Sequence, residues 1–145
     1  MSAAVVAPTT PELAPALTAL RLSLRVLAAA IWVGGQLVVA GAVPILSRSG
    51  SGLAEAVGSR FARLAWPAFA VLVATGIWNV LAVGVARAGT AWTVVLWAKV
   101  AAVAVAGASA GLHQRARSRS ARAILGAVSA ISALAALVLG VLLAG

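Results

Sequence analysis

The chain has no cysteine, one histidine, one methionine and two acidic residues among 145. Without cysteine there is no disulfide frame, no thiolate metal site and no thiol redox chemistry. Both acids, Glu12 and Glu55, fall outside the long apolar runs, so a cation inside a run has no carboxylate partner from its own chain. A proton-coupled cation exporter, which needs an intramembrane carboxylate, is disfavoured for the same reason. Copper takes soft or imidazole ligands, and His113 and Met1 are too few to build a copper site from one chain. No nucleophile, acid pair or metal cluster offers itself for catalysis, and the expectation is a protein that is not an enzyme.

What the chain has is apolar surface: 63% of its residues are hydrophobic, 9% are charged, and the mean hydropathy is +1.12. A soluble domain of this length does not tolerate such a composition, so the chain reads as an integral membrane protein. Four runs suffice to cross a hydrocarbon core, which needs about 20 helical residues: 20–46, 64–85, 91–112 and 123–144. The expected fold is therefore an all-α, four-helix transmembrane bundle over 20–145, preceded by a short N-terminal extracytoplasmic segment, 1–19. In that segment Thr10, Pro11 and Glu12 read as a helix start. It lacks the basic stretch of a signal peptide and is expected to remain. "SRSGSGLAEAVGSR" reads as a polar Gly/Ser linker, "ARAGT" as a tight turn and "HQRARSRSARA" as a basic loop.

Positive charge is distributed unevenly between the two sides. Arg48, Arg60, Arg63, Arg115, Arg117, Arg119 and Arg122 flank the first and third connections, against Arg21, Arg25 and Arg87 on the other side. The positive-inside rule then puts the first group in the cytoplasm of a bacterial inner or plasma membrane and both termini outside. The "RARSRSAR" run reads as a membrane-flanking loop with affinity for anionic lipid, so nucleic acid is not an expected partner.

Intramembrane polar residues are costly and mark function more often than packing. Lys99 interrupts "VVLWAKVAAV", and at helical spacing it shares a stripe with Trp92, Ala102, Ala106, Ser109, Ala110 and His113. Gly107 and Gly111 beside that stripe favour close helix packing. Two readings follow: Lys99 points into the bundle, or it snorkels to the outer surface and does nothing specific. Arg25, Ala29, Trp32, Gln36 and Ala40 fall on one face of the first run, and Thr75 and Asn79 share a face of the second. Arg25, Gln36, Asn79 and Lys99 are thus a candidate polar cluster in the outer half. Its complement is either an anion such as a lipid headgroup or carboxylate, or backbone carbonyls and water. His113 is either a metal or haem ligand or a helix-end histidine tied to the last carbonyls. Trp66, Trp78, Trp92 and Trp97 fit interfacial belts, whereas Trp32 lies deeper and is expected to pack inside.

The stretches "LRVLAAAIWVGGQLVVAGAVPIL", "RFARLAWPAFAVLVATGIWNVLAV" and "WTVVLWAKVAAVAVAGASAGLHQRAR" together resemble the copper-resistance D (CopD-like) membrane domain. The resemblance covers about Leu20 to Arg122. It is carried by Trp32, Gly34 and Gly35 in the first helix, Arg60, Phe61, Arg63, Thr75 and Gly76 in the second, and Lys99 in the third. A more distant similarity is to HemJ-type protoporphyrinogen oxidase. Both relatives often carry a histidine where this chain has Arg25. The resemblance implies copper transport or homeostasis, with copper or haem as the candidate cofactors. Three function classes stay open: a permease component acting with a periplasmic copper-binding protein, a structural subunit of a larger respiratory assembly, and a haem-binding or haem-biosynthesis protein. Expected partners are membrane lipid and either further copies or other membrane subunits.

Overall fold

The computed structural model describes residues 15–50, 52–84 and 89–143. Four helices account for nearly all of them: α1 (Ala16–Leu46), α2 (Leu53–Val83), α3 (Thr90–Arg115) and α4 (Arg119–Leu142). No strand occurs among the described residues. At 24 to 31 residues each, all four exceed the about 20 that a bilayer crossing needs. The protein is an all-α, multi-pass membrane protein.

The helices are longer than the apolar runs, because helical backbone continues into polar sequence at their ends. Residues 16–19, expected in the N-terminal segment, belong to α1, which starts after Pro15. Most of the expected polar linker is helix, since α2 begins at Leu53 rather than Leu64. Leucine and alanine propagate a helix well, and Glu55 in the first turn complements the helix dipole. One consequence is that Pro67 sits inside α2 rather than near its start, where its missing N–H leaves the Arg63 carbonyl without its usual partner. The expected basic loop contracts to Ala116–Ser118, and Ser118 caps α4 by accepting from the Ala121 N–H at 3.1 Å. At the other end of α2, Gly84 takes φ +72° and donates its N–H to the Val80 carbonyl, a left-handed helix stop that glycine adopts at least cost. The helix start expected at Thr10, Pro11 and Glu12 and most of the "ARAGT" turn lie outside the described residues.

α1 is not uniformly α-helical, for Ala30–Gly34 form a single π-helical turn in its middle. Such a turn accommodates an extra residue, so α spacing does not run through it unchanged. Within it, Trp32 is buried and belongs to one apolar cluster with an alanine from each other helix: Ala65 of α2, Ala106 of α3 and Ala133 of α4. These four residues form the central cluster of the bundle. Around them Trp66 and Phe69 of α2 close an aromatic trio, with centroids 5.9 Å apart for Trp32–Trp66, 4.5 Å for Trp32–Phe69 and 5.9 Å for Trp66–Phe69. Trp66, read from the sequence as interfacial, is half-buried and packs one side of its ring in this trio. Its ring also touches the Gly111 position of α3, and Phe69 reaches Gly107 so closely that a β-carbon there would lie 2.7 Å from the ring. Bulky side chains set against glycines let α2 and α3 approach in lipid, where packing rather than water exclusion holds helices together.

α3 and α4 form an antiparallel hairpin lined by small residues. Ala106, Ser109, Ser129, Ala133 and Ala136 are all buried. Ser129 donates its hydroxyl to the Ala106 carbonyl at 3.0 Å across the pair. Ser109 donates to the Val105 carbonyl of its own helix. The Ser129 bond gives the hairpin a fixed register, which sets Lys99 of α3 against the last turns of α4.

Candidate functional site

Lys99 is half-buried and lies on the same stripe of α3 as buried Ala106 and Ser109. The Ser129–Ala106 hydrogen bond fixes which residues are level across the hairpin. Counted from it, Lys99 stands opposite Ala136. The ammonium is not at that level, because a β-carbon built on Gly140 would lie 2.7 Å from Lys99 Nζ and 3.5 Å from its Cε. Gly140 is one turn nearer the helix end, about 6 Å of rise. The lysine stem thus climbs along α4 toward the end of the bundle, the geometry by which buried lysines bring their charge toward the interface.

It does not climb alone. Arg25 Nη2 lies 3.6 Å from the same Gly140 point, so cations from α1 and α3 both fall within 4 Å of one position on α4. Like charges that close repel by a few kcal/mol at an effective dielectric of about 20. One turn before Arg25, on the same face of α1, Arg21 places its guanidinium carbon 5.9 Å from the centroid of the Trp78 ring of α2. Arg21 Nε is buried without a hydrogen-bond partner among the described residues. Glu55, the one acidic residue described, stands in the first turn of α2, at the opposite end of the bundle. Three cations therefore gather at one end, and no described carboxylate lies beside them.

Of the other residues singled out in the sequence, Asn79 lies toward the Lys99 end and the rest stand elsewhere in the bundle. Gln36 is half-buried but follows Arg25 by eleven residues and the π turn, about 16 Å further along α1, near the level of the aromatic trio. Asn79 is half-buried one residue from Trp78, at the Lys99 end. Thr75 is buried and donates its hydroxyl to the Val71 carbonyl at 2.7 Å, with the Leu72 carbonyl at 3.2 Å, so its polar need is met within α2. Gly34 and Gly76 have open space where a β-carbon would stand, whereas a β-carbon on Gly35 would collide with the Phe61 ring. Of the family-like residues, Trp32, Gly35 and Phe61 thus carry packing.

His113 lies near the arginine-rich turn, fourteen residues from Lys99 and about 21 Å away along α3. Its Nδ1–H donates to the Arg122 carbonyl at 2.7 Å, and the ring fills the space over Gly126, where a β-carbon would meet Nδ1 at 3.2 Å. The imidazole ties the α3–α4 hairpin together just before its turn. Only Nε2 is left for a metal or haem iron, and among the described residues no three His, Cys, Asp or Glu side chains come together. The described residues do not fit a copper or bis-imidazole haem site on their own. Met1 lies outside them. A cleft of about 650 Å³ opens at this same end, lined by Trp66, Gly107, Gly111, Leu112, Gln114 and Arg115.

Arg21, Trp78 and Gly140 do not stand out in the sequence as parts of a site. Gly140 offers one signal, a lone glycine in the run "ALVLGVLL", which in a helix points to close approach of another group.

These features define a four-helix membrane protein in which three cations, Arg21, Arg25 and Lys99, gather toward one end of the bundle. The family model for copper resistance protein D matches residues 55–145, well over half of the chain, and the chain belongs to that family. It is a copper-resistance-related membrane protein. The matched segment takes in α2, α3 and all of α4, and so Lys99 and Gly140, but begins after α1; the resemblance read over Leu20 to Arg122 is displaced accordingly. No curated protein and no solved structure matches the chain.

Proposed function

We propose that this protein is a component of copper transport or homeostasis in a bacterial cell membrane, and that Arg25 and Lys99 form its working polar cluster. The convergence of those two side chains on Gly140, in a chain of the copper resistance D family, carries this reading. Intramembrane cations brought together against their mutual repulsion are retained for use more often than for packing. They do not ligate copper, since ammonium and guanidinium groups have no lone pair to offer at neutral pH. Copper itself is therefore held by a partner, either a periplasmic copper-binding protein or another membrane subunit such as a second copy. The chain acts as a permease component, without catalysis of its own. The arginine excess favours a topology with the α3–α4 turn in the cytoplasm and the Lys99 end outside.

Lys99→Met is expected to reach the membrane at wild-type level and to abolish the copper-dependent growth that the wild-type gene restores to a deletion strain. Full growth with Lys99→Met would overturn the role of the cluster. The orientation is checked separately with Ser120→Cys, which leaves the Ser118 cap intact. An impermeant thiol reagent should label it only after the cells are opened; labelling from outside intact cells would reverse the topology.

A further inference from the structure

We propose that the Lys99 end of the bundle is a seat for a phosphate-class anion, held between α1, α3 and the bare backbone of α4 at Gly140. The proposal rests on Arg25 and Lys99 acting as one cluster, and not on the copper role. Four observations meet at this place. Cations from two different helices lie within 4 Å of one point at Gly140. Arg21, a third cation, continues the row on α1, with its Nε buried and lacking a partner among the described residues. No described carboxylate joins the row, since Glu55, the one acid described, is at the far end of α2. Finally, Gly140 has no side chain, and any β-carbon there would stand in the place taken by the ammonium.

The arrangement selects among anions. A carboxylate offers two oxygens in one plane, which a single arginine fork can satisfy. A phosphate offers oxygens in a tetrahedral array, so that a guanidinium from α1 and an ammonium from α3 can each take one from a different direction. Depth agrees with this choice. Gly140 lies two residues before the end of α4, and in this proposal the ammonium, carried there by the lysine stem, sits near the headgroup level of the bilayer. The occupant is either the phosphodiester of an anionic lipid or free phosphate entering from the same side.

The full chain is reconstituted in phosphatidylcholine nanodiscs containing phosphatidylglycerol, and native mass spectrometry counts the lipid retained on release. In parallel, inorganic phosphate is titrated into the detergent-purified chain while thermal unfolding is followed. Wild type is expected to retain one phosphatidylglycerol that Arg25→Gln and Lys99→Met hold about tenfold more weakly. A phosphate-induced rise in unfolding temperature, absent in Lys99→Met, would instead identify free phosphate as the occupant. Gly140→Ala keeps every charge but displaces the ammonium, and it is expected to weaken retention severalfold with unchanged unfolding; it serves as the test should the charge variants fail to fold. If neither ligand distinguishes wild type from Lys99→Met and Gly140→Ala, the seat does not exist. Growth separates the two proposals: copper-dependent growth lost in Lys99→Met with anion binding intact would sink the seat alone, and anion binding lost with growth intact would sink the copper role alone.

Discussion

Two glycines of this bundle stand in the same steric position with opposite neighbours. A β-carbon at Gly107 would meet the Phe69 ring at 2.7 Å, and one at Gly140 would meet Lys99 Nζ at 2.7 Å. Phe69 is held from behind by Trp32, 4.5 Å away between centroids, and by Trp66 at 5.9 Å. Lys99 Nζ is the end of a flexible four-carbon stem, pressed by no packed ring. Equal clearance therefore conceals unequal resistance. The middle of the bundle is interlocked and sets the fold, while the Lys99 end holds charges on flexible stems.

The largest effect should come from the interlocked side. Gly107→Ala pushes the α3 backbone away from a ring that cannot turn aside without disturbing Trp32 and Trp66, and overpacking of that kind costs about 1–3 kcal/mol. Alanine's better helix propensity returns at most about 1 kcal/mol. The expected outcome is a lower unfolding temperature in detergent and a smaller folded yield, with α2 and α3 separating before the α3–α4 hairpin opens. Unfolding at the wild-type temperature would show that the aromatic trio yields easily and that the two glycines do not differ.

Much of the fold is legible in the sequence, because an apolar run of about 20 residues has few structures open to it in lipid. The ends of the helices are less so. "LAEAVG" carries leucine, alanine and a first-turn glutamate, but the Gly/Ser content around it imitates a linker. The face of α1 is misleading beyond Trp32, where strict α spacing links Arg25 to Gln36 through what is a π turn. Tryptophan serves belts and cores alike, so the packing of half-buried Trp66 on Trp32 is not visible in the sequence. For the candidate site, Lys99 and Arg25 are visible as charges in apolar runs. Gly140 carries no chemistry of its own, and its meaning comes entirely from the two cations that the tertiary structure brings against it. A single sequence holds periodicity within each helix but little of the register between helices.

The smallest effect on stability, and the sharper one on the comparison, belongs to Gly140→Ala. The added methyl group meets the end of the lysine chain, which can swing by rotation about its own bonds, and Arg25 Nη2 at 3.6 Å is already in ordinary van der Waals range. The helix gains propensity at this position, a few tenths of a kcal/mol near a helix end. Moving the ammonium outward also lowers its repulsion with Arg25, since Coulomb energy falls with distance. These terms favour the variant, and the loss of ammonium packing against the α4 backbone opposes it. The expected net change in unfolding free energy is within about 0.5 kcal/mol of wild type, measured beside Gly107→Ala in the same detergent. A Gly140→Ala protein destabilised as strongly as Gly107→Ala would mean that Lys99 is fixed in a packed slot, and the Lys99 end would then be a second piece of the core rather than a place for a ligand.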